Sequence, residues 1–280
     1  MLAARADLAD AALAGQVAAE RFAEGVDHVV SAPLLDLTLS SEPDSEIASQ
    51  VLHGERFTVF DISADGLAWG RSWLDGYVGH VSANGLRRCV RGEPPPAARV
   101  AVLSSHAYAR PDVKSPVRAS FPFLAHLAVT GFNGAFAALA DGTFVPAAHL
   151  EKGSIGVDAA DIALRFLGVP YLWGGRSAAG IDCSGLVQAA FSALGEDAPR
   201  DTDMQEAWLG AELSQEAASR RGDLVFWAGH VGIMTDETHL VHANATHMAV
   251  VEEPLADAVA RIAAAGSGDI TSRRRVGSAQ

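Results

Sequence analysis

Cysteine is scarce in this chain: its 280 residues include only Cys89 and Cys183. Two cysteines do not make the disulfide framework of a small secreted domain. Basic residues are also in the minority, with 21 Lys and Arg against 34 Asp and Glu and a formal net charge of −13. This balance disfavours nucleic acids and anionic membrane surfaces as partners. No apolar run approaches the ~20 residues of a transmembrane helix.

Signals for export and for cofactor binding are missing as well. The first 25 residues are alanine-rich but interrupted by charges, without the basic start and apolar core of a secretory signal. We therefore expect a reduced, cytoplasmic setting, with export by an atypical route as the open alternative. Gly174-Gly175 precedes no lysine, and the chain has no His-Glu-x-x-His helix. We expect no cofactor, no metal and no membrane or nucleic-acid partner, and a monomer or weak oligomer.

Hydrophobic residues make up 49% of the chain, and its length exceeds that of one typical domain. Alanine-rich residues 1–25 predict an N-terminal helical arm. Short apolar runs separated by Asp-Gly turns, as at Asp65-Gly66 and Asp75-Gly76, predict small antiparallel β-barrels over 26–92 and 97–150. A proline-rich linker at 92–96 separates them. We predict an α+β domain over 151–265 and a flexible tail over 266–280 whose arginine run is solvated.

One segment stands out for its chemistry, the stretch from Tyr171 to Leu186. Apolar residues recur at helical spacing from Cys183 until Gly195, so Cys183 lies in the first turn of a predicted helix. Free N–H groups and the helix dipole at that position favour a thiolate, which predicts a lowered thiol pKa. The alternative is that Cys183 is a small buried hydrophobic residue.

A thiolate nucleophile needs a base, and the base needs an orienting partner. His230 opens a predicted strand, and His242 lies in the next apolar run. On adjacent antiparallel strands the two histidines come side by side, which favours a cysteine–histidine–histidine site. A metal site built from the same three side chains is an alternative, although their spacing matches no structural zinc pattern.

These residues also carry a family resemblance. The Asp182-Cys183-Ser184-Gly185 segment is similar to the NlpC-type papain-like cell-wall peptidases, as are Trp173-Gly174-Gly175, Gly229-His230-Val231-Gly232 and the later His242. The resemblance spans residues 155–255 and implies a papain-like α+β fold with peptidoglycan stem peptides as substrates. It implies Cys183 as nucleophile, His230 as base and His242 as the residue that orients the base.

The Tyr171 hydroxyl is a candidate oxyanion donor beside the Cys183 backbone N–H, and the family resemblance supports it. The alternative is that the Tyr171 ring only fills the core beside Trp173. Asp182 and Ser184 flank the nucleophile, where they can present a carboxylate and a hydroxyl to a substrate. For Asp182 the alternative is helix capping.

The first β region resembles bacterial Src-homology-3-like domains at three places, which are 50–55, Trp69 and 75–79. Family members with such domains, of the peptidoglycan-recycling kind, cleave γ-D-glutamyl-L-diamino-acid bonds in peptides with a free N-terminal L-alanine. The resemblance implies that Asp182 and Ser184, with an acidic and a tyrosyl residue of the first barrel, surround the ammonium. Tyr77 and Glu46 are the candidates, and Glu55 competes with Glu46.

The sequence thus predicts two Src-homology-3-like barrels followed by a papain-like cysteine peptidase domain that acts on murein-derived peptides. Two rivals stay open. An amidase or acyltransferase uses the same acyl-enzyme chemistry. A non-catalytic module that binds cell-wall fragments needs no reactive thiol.

Overall fold

The computed structural model describes residues 1–90, 93, 96, 98–266 and 268–277. The chain divides into two compact units, Met1–Lys152 and Gly153–Gln280. Most of the proline-rich linker predicted at 92–96, including Gly92, Pro94 and Pro95, lies outside the described residues.

The predicted N-terminal helical arm is wrong. Residues 1–25, all of which the structure describes, form β1 (Leu8–Asp10), a 3₁₀ turn (Ala11–Leu13) and β2 (Arg21–Ala23) instead of an α-helix. β1 and β2 pair in parallel. Leu8 is completely buried in a cluster with Phe60 and Trp69. Packing on the first sheet therefore overrides the helical propensity of the alanines.

A seven-stranded antiparallel sheet follows. Its strands are β3 (Val26–Val30), β4 (Leu34–Thr38), β5 (Ile47–Leu52), β6 (Arg56–Ile62), β7 (Leu67–Ser72), β8 (Val78–Ser82) and β9 (Leu86–Arg88). The spatial order is β5-β4-β8-β7-β6-β3-β9. The two predicted Asp-Gly turns are confirmed, because Gly66 and Gly76 have φ values of 85° and 71° between paired strands.

The second β region uses a similar succession of elements. Its strands are β10 (Ala98–Val100), β11 (Ser104–Tyr108), β12 (Val117–Pro122), β13 (His126–Leu127), β14 (Val129–Asn133), β15 (Phe136–Leu139), β16 (Phe144–Pro146) and β17 (Leu150–Glu151). They form sheets of order β13-β10-β17 and β12-β11-β16-β15-β14. Both β regions end with a strand, a 3₁₀ turn (Ala83–Gly85 or Ala147–His149) and a short strand.

The C-terminal unit contains the four α-helices of the described chain. Its elements are α1 (Ala159–Leu164), β18 (Arg176–Ser177), β19 (Gly180–Ile181), α2 (Cys183–Leu194), α3 (Thr202–Trp208), β20 (Ala211–Glu212), β21 (Leu224–Trp227), β22 (His230–Met234), β23 (His239–Asn244), β24 (Ala249–Pro254), α4 (Leu255–Ala264) and β25 (Ser272–Arg275). The main sheet has the order β20-β25-β21-β22-β23-β24. The predicted helices starting at Cys183 and near residue 254 are confirmed.

Side chains of β21, β22 and β23 alternate between the two faces of the sheet, and those on one face pack against α4. Trp227, Met234 and Leu240 form a cluster there with Ala258 and Ile262 of α4. α2 in turn contacts β22 and β23. The strands that carry the two histidines are thus central strands of a covered sheet, and their positions are fixed by packing.

The prediction of a flexible tail with solvated arginines is also wrong for Ser272–Arg275, which form β25. β25 lies between β20 and β21, and Arg273 donates to the carbonyl oxygens of Ala217, Ser214 and Gln215. Arg275 forms a bidentate ion pair with the buried Asp223. Charge patterning alone does not reveal these partners, because they lie 52 to 59 residues away in the sequence.

Candidate active site

The start of α2 places the cysteine. Asp182 is the N-cap, and its Oδ1 accepts a hydrogen bond from Gly185 N at 2.6 Å. Cys183 is the first helical residue, with only 6% of its surface exposed. Gly195 ends the helix with φ of 83°, as predicted. The local sequence therefore produces a capped helix with a buried thiol in its first turn.

A buried ion pair fixes this turn. Arg200 Nη2 lies 2.6 Å from Asp182 Oδ2, and Arg200 Nη1 lies 3.0 Å from Oδ1. Gly174 N also donates to Oδ2, at 2.8 Å. Ser184 Oγ donates to Asp182 Oδ1 at 3.2 Å and accepts from Arg200 Nη1 at 2.8 Å. The capping alternative for Asp182 is what the structure shows, and contact of Asp182 and Ser184 with a substrate remains a prediction.

Polar groups from β22 and α3 contact the thiol. Thr202 Oγ1 lies 3.9 Å from Cys183 Sγ, and the backbone N–H of Val231 donates to the sulfur. Because Val231 directly follows His230, this contact brings the backbone of the histidine beside the thiol. Gln205 Nε2 donates to Ser184 O at 2.9 Å and so anchors the helix start to α3.

Burial and the charge of Asp182 raise the pKa of the Cys183 thiol to about 11. The predicted lowering of this pKa is therefore wrong. Hydrogen bonds at the helix start do favour the anion, but removal of the sulfur from water outweighs them. The thiol is protonated at neutral pH and needs a base to react.

The two histidines are adjacent, as the sequence predicts. β22 and β23 are antiparallel neighbours, and His230 Nε2 lies 2.7 Å from His242 Nδ1. Gly232 leaves room for the Leu240 side chain, since a Cβ there would stand 2.5 Å from Leu240 Cδ1. The Trp227 ring lies 5.6 Å from the His230 ring and covers it.

Burial lowers the pKa of both imidazoles to about 3, and the mutual repulsion of the two rings adds to the effect at His230. His242 is completely buried. Both rings are neutral at neutral pH, so a proton taken from the thiol has a vacant nitrogen to go to. The catalytic roles of Cys183, His230 and His242 remain predictions, and this geometry is consistent with them.

Polar groups behind His242 were not predicted from the sequence. Glu253 Oε1 lies 2.6 Å from His242 Nε2, and Asn244 Nδ2 lies 3.0 Å from the same nitrogen. Arg261 forms an ion pair with Glu253. Alternation along β23 and β24 would have identified Glu253 only if the register of the two strands had been known.

Tyr171 lies close to the nucleophile. Its N–H donates to Met248 O at 2.9 Å, and it forms an isolated bridge with Ile181, two residues before Cys183. Burial, with the nearby Cys183 and Asp182, raises the pKa of Tyr171. Its hydroxyl is therefore protonated and able to donate, whereas an oxyanion role remains a prediction.

The remaining predicted residues belong to the first unit. Tyr77 lies in the hydrophobic cluster of the first sheet with Leu37 and Phe57. Glu46 is exposed directly before β5, and Glu55 Oε2 accepts from Leu52 N at 2.9 Å. Their roles toward a substrate remain predictions.

Within the described residues, no group of three or more His, Cys, Asp or Glu side chains is arranged to hold a metal ion. In the same part of the chain, every helix is too short or too polar to cross a bilayer.

A cysteine at a helix start beside a histidine pair on a packed sheet is the arrangement that the sequence predicts for a papain-like domain. Residues 168–262 match the NlpC/P60 family, and residues 39–86 match the bacterial dipeptidyl-peptidase Sh3 domain. The chain thus carries an NlpC/P60 domain preceded by a bacterial Sh3 domain. The family resemblance predicted from the sequence is confirmed.

Curated relatives match over part of their length. The "Dipeptidyl-peptidase 6" of Lysinibacillus sphaericus is 39% identical over 82 residues, which cover 29% of this chain and 30% of the relative. The "Gamma-D-glutamyl-L-lysine dipeptidyl-peptidase" of Bacillus subtilis is 40% identical over 90 residues, 29% of each chain. The match thus spans about a third or less of these relatives.

An NlpC/P60 family protein from Bacillus cereus has a similar fold over most of both chains. The TM-score is 0.73 and the sequence identity 18%, with 89% of this chain and 99% of that chain covered. At this identity the likeness concerns the fold alone.

Proposed function

We propose that the chain is a cysteine peptidase that hydrolyses the bond between γ-D-Glu and an L-diamino acid in peptidoglycan stem peptides. The observation that carries this proposal is the 2.7 Å contact of His230 Nε2 with His242 Nδ1, next to the buried thiol of Cys183. The NlpC/P60 match and the printed name of the Bacillus subtilis relative support the substrate class. The diamino acid is meso-diaminopimelate or lysine.

The two nitrogens of His230 determine the first step. Since Nε2 is engaged by His242, Nδ1 is the nitrogen available to the thiol. Nδ1 accepts the Cys183 proton while the sulfur attacks the γ-carbonyl carbon of D-Glu, and the carbonyl oxygen becomes an oxyanion. The Cys183 N–H at the start of α2 and the Tyr171 hydroxyl are the proposed donors to that oxygen.

The second half of the cycle uses the same proton carrier. The imidazolium returns its proton to the amine of the diamino acid as the carbon–nitrogen bond breaks, which leaves a thioester on Cys183. A water molecule then gives a proton to His230 and attacks the thioester carbon, and the released sulfur regains the proton. No cofactor takes part in this scheme.

For the N-terminal unit we propose two Src-homology-3-like barrels. The repeated element order and the Sh3 match over 39–86 support this assignment. We further propose that Glu46 and Tyr77 contribute to recognition of a free N-terminal L-alanine. Because Arg200 already neutralises Asp182, an exposed carboxylate such as Glu46 is the better partner for an ammonium group. We also propose a cytoplasmic location, which the low cysteine content favours.

The test is cleavage of L-Ala-γ-D-Glu-meso-diaminopimelate and of its lysine analogue, followed by mass spectrometry, with Cys183→Ala as the control. We expect release of the diamino acid by the wild type and none by the variant. Failure to cleave either peptide would contradict the peptidase proposal and favour acyl transfer or binding.

A second comparison tests recognition of the N-terminus. The N-acetylated peptide should be cleaved poorly, and Glu46→Gln and Tyr77→Phe should raise KM with little change in kcat, whereas Glu55→Gln should not. Equal cleavage of the free and acetylated peptides would retain the peptidase but contradict terminus recognition.

A further inference from the structure

A carboxylate lies behind the histidine pair, and the sheet register explains why. β23 and β24 are antiparallel with His242 opposite Val251 and Leu240 opposite Glu253. Glu253 is therefore diagonal to His242 on the same face, within reach of a long side chain. Its Oε1 lies 2.6 Å from His242 Nε2, and its side chain is 14% exposed.

When Glu253 accepts from His242 Nε2, the contact between the two neutral rings allows one arrangement of their protons. A neutral imidazole carries one proton, on one of its two nitrogens. If the His242 proton is on Nε2 and donated to Glu253, Nδ1 is a free acceptor. His242 Nδ1 then accepts from His230 Nε2, which places the His230 proton on Nε2. The Nδ1 atom of His230 is left unprotonated, as a general base for the thiol requires.

A competing donor faces the same nitrogen. Asn244 Nδ2 lies 3.0 Å from His242 Nε2, and Asn244 Oδ1 is occupied by His247 N at 2.9 Å, which fixes the orientation of the amide. Taken alone, Asn244 would donate to Nε2 and move the His242 proton to Nδ1. His242 would then donate that proton to His230 Nε2, and the His230 proton would lie on Nδ1, the nitrogen that the proposed mechanism leaves for the thiol.

The carboxylate prevails in this competition. Its contact with Nε2 is shorter than that of the amide, and hydrogen bonds to a charged group are the stronger ones. Arg261 pairs with the same carboxylate and donates to Thr246 Oγ1 at 3.2 Å, which holds the charge in place. We propose that Glu253 is a positioning residue that sets the tautomers of His242 and His230 against the pull of Asn244. This inference rests on the proposed function for its kinetic consequences only.

The tautomers are measurable without any substrate. Long-range ¹H–¹⁵N correlation spectra of the full chain report which ring nitrogen of His230 and His242 carries the proton. In the wild type we expect protons on both Nε2 atoms, and in Glu253→Ala protons on both Nδ1 atoms. Unchanged tautomers in Glu253→Ala would overturn the proposal, whether or not the chain cleaves stem peptides.

Kinetics supply the second readout. Glu253→Ala should lower kcat by about 100-fold or more with little change in KM, because general-base catalysis is worth about 10²–10⁴ in rate. The loss should be smaller when Asn244→Ala is already present, since the competing donor is gone. An equal loss in both backgrounds would mean that Glu253 acts only as a structural support.

Two matched variants guard against misfolding. Glu252 is exposed and lies opposite Val241 on the other face of β24, so Glu252→Gln should leave kcat unchanged. Glu253→Gln keeps the size of the side chain and a carbonyl acceptor, and it should fall between wild type and Glu253→Ala. A Glu253→Gln rate at or below that of Glu253→Ala, with thermal melts unchanged, would contradict the tautomer assignment.

Discussion

The nucleophile and the base of the candidate site are each backed by a carboxylate and an arginine, but the two pairs differ in kind. Asp182 and Arg200 are buried, with 8% and 2% of their side chains exposed, and the contact is bidentate. Glu253 and Arg261 are 14% and 24% exposed, and one carboxylate oxygen serves both Arg261 and His242. The first pair holds a helix start in place, whereas the second controls the position of protons.

The two ion pairs should differ most in the stability that is lost when the arginine of each pair is removed. Arg200→Met leaves the Asp182 charge buried without its counter-charge, and breaking such a pair costs about 3–5 kcal/mol. Arg261→Met should cost less, because Glu253 can still contact water. Urea unfolding of both variants measures the difference, and equal midpoints would contradict the distinction between the pairs.

Two glycines provide a second contrast. A Cβ on Gly185 would meet the carbonyl oxygen of Gly175, whereas a Cβ on Gly232 would meet the end of the Leu240 side chain. We expect Gly185→Ala to cost up to about 3 kcal/mol and Gly232→Ala less, because backbone yields less than a side chain.

Thermal melts measure both glycine variants. Gly131→Ala is the control, since nothing lies within 4 Å of its added Cβ. Stabilisation by Gly185→Ala, the usual result inside a helix, would contradict the close approach seen here.

Around the histidine pair, the free energy of unfolding should fall as the pH is lowered. His230 and His242 have pKa values of about 3 in the folded chain against an ordinary 6.5. Below pH 6.5 the unfolded chain binds protons that the folded chain does not, so stability falls with pH until about pH 3. Each histidine accounts for about 2 kcal/mol between pH 7 and 5. His242→Gln should remove about that much of the loss in urea titrations at the two pH values, and an unchanged loss would contradict neutral burial.

The contribution of Cys183 to the free energy of unfolding should instead fall as the pH is raised. The thiol pKa is raised to about 11 from 9.0, so the unfolded chain loses this proton first as the pH rises. Stability from Cys183 is thus lost above pH 9, by about 1 kcal/mol at pH 10. Unfolding of the wild type and Cys183→Ala at pH 8 and 10 tests this, and identical alkaline losses would count against a buried neutral thiol.

Local signals in the sequence were sufficient for the nucleophile side. The apolar spacing after Cys183, the capping Asp182 and Gly195 predicted α2, and each depends on residues within a few positions of the others. The adjacency of His230 and His242 was predicted because a short turn joins neighbouring strands. The two errors in the fold have a common cause, because the N-terminal segment and the β25 strand are held by distant partners, Phe60 and Trp69 in one case and Asp223 in the other.

By itself, the sequence determined the capped helix at Cys183, the histidine pair and the family, because these follow from short-range spacing and characteristic motifs. Only the tertiary structure decided the proton positions and charges of the site. The strand register brings Glu253 to the nitrogen of His242 that Asn244, on the same strand as His242, also contacts, and burial raises the pKa of the thiol. Desolvation and diagonal contacts depend on the packed sheet as a whole, so no local pattern encodes them.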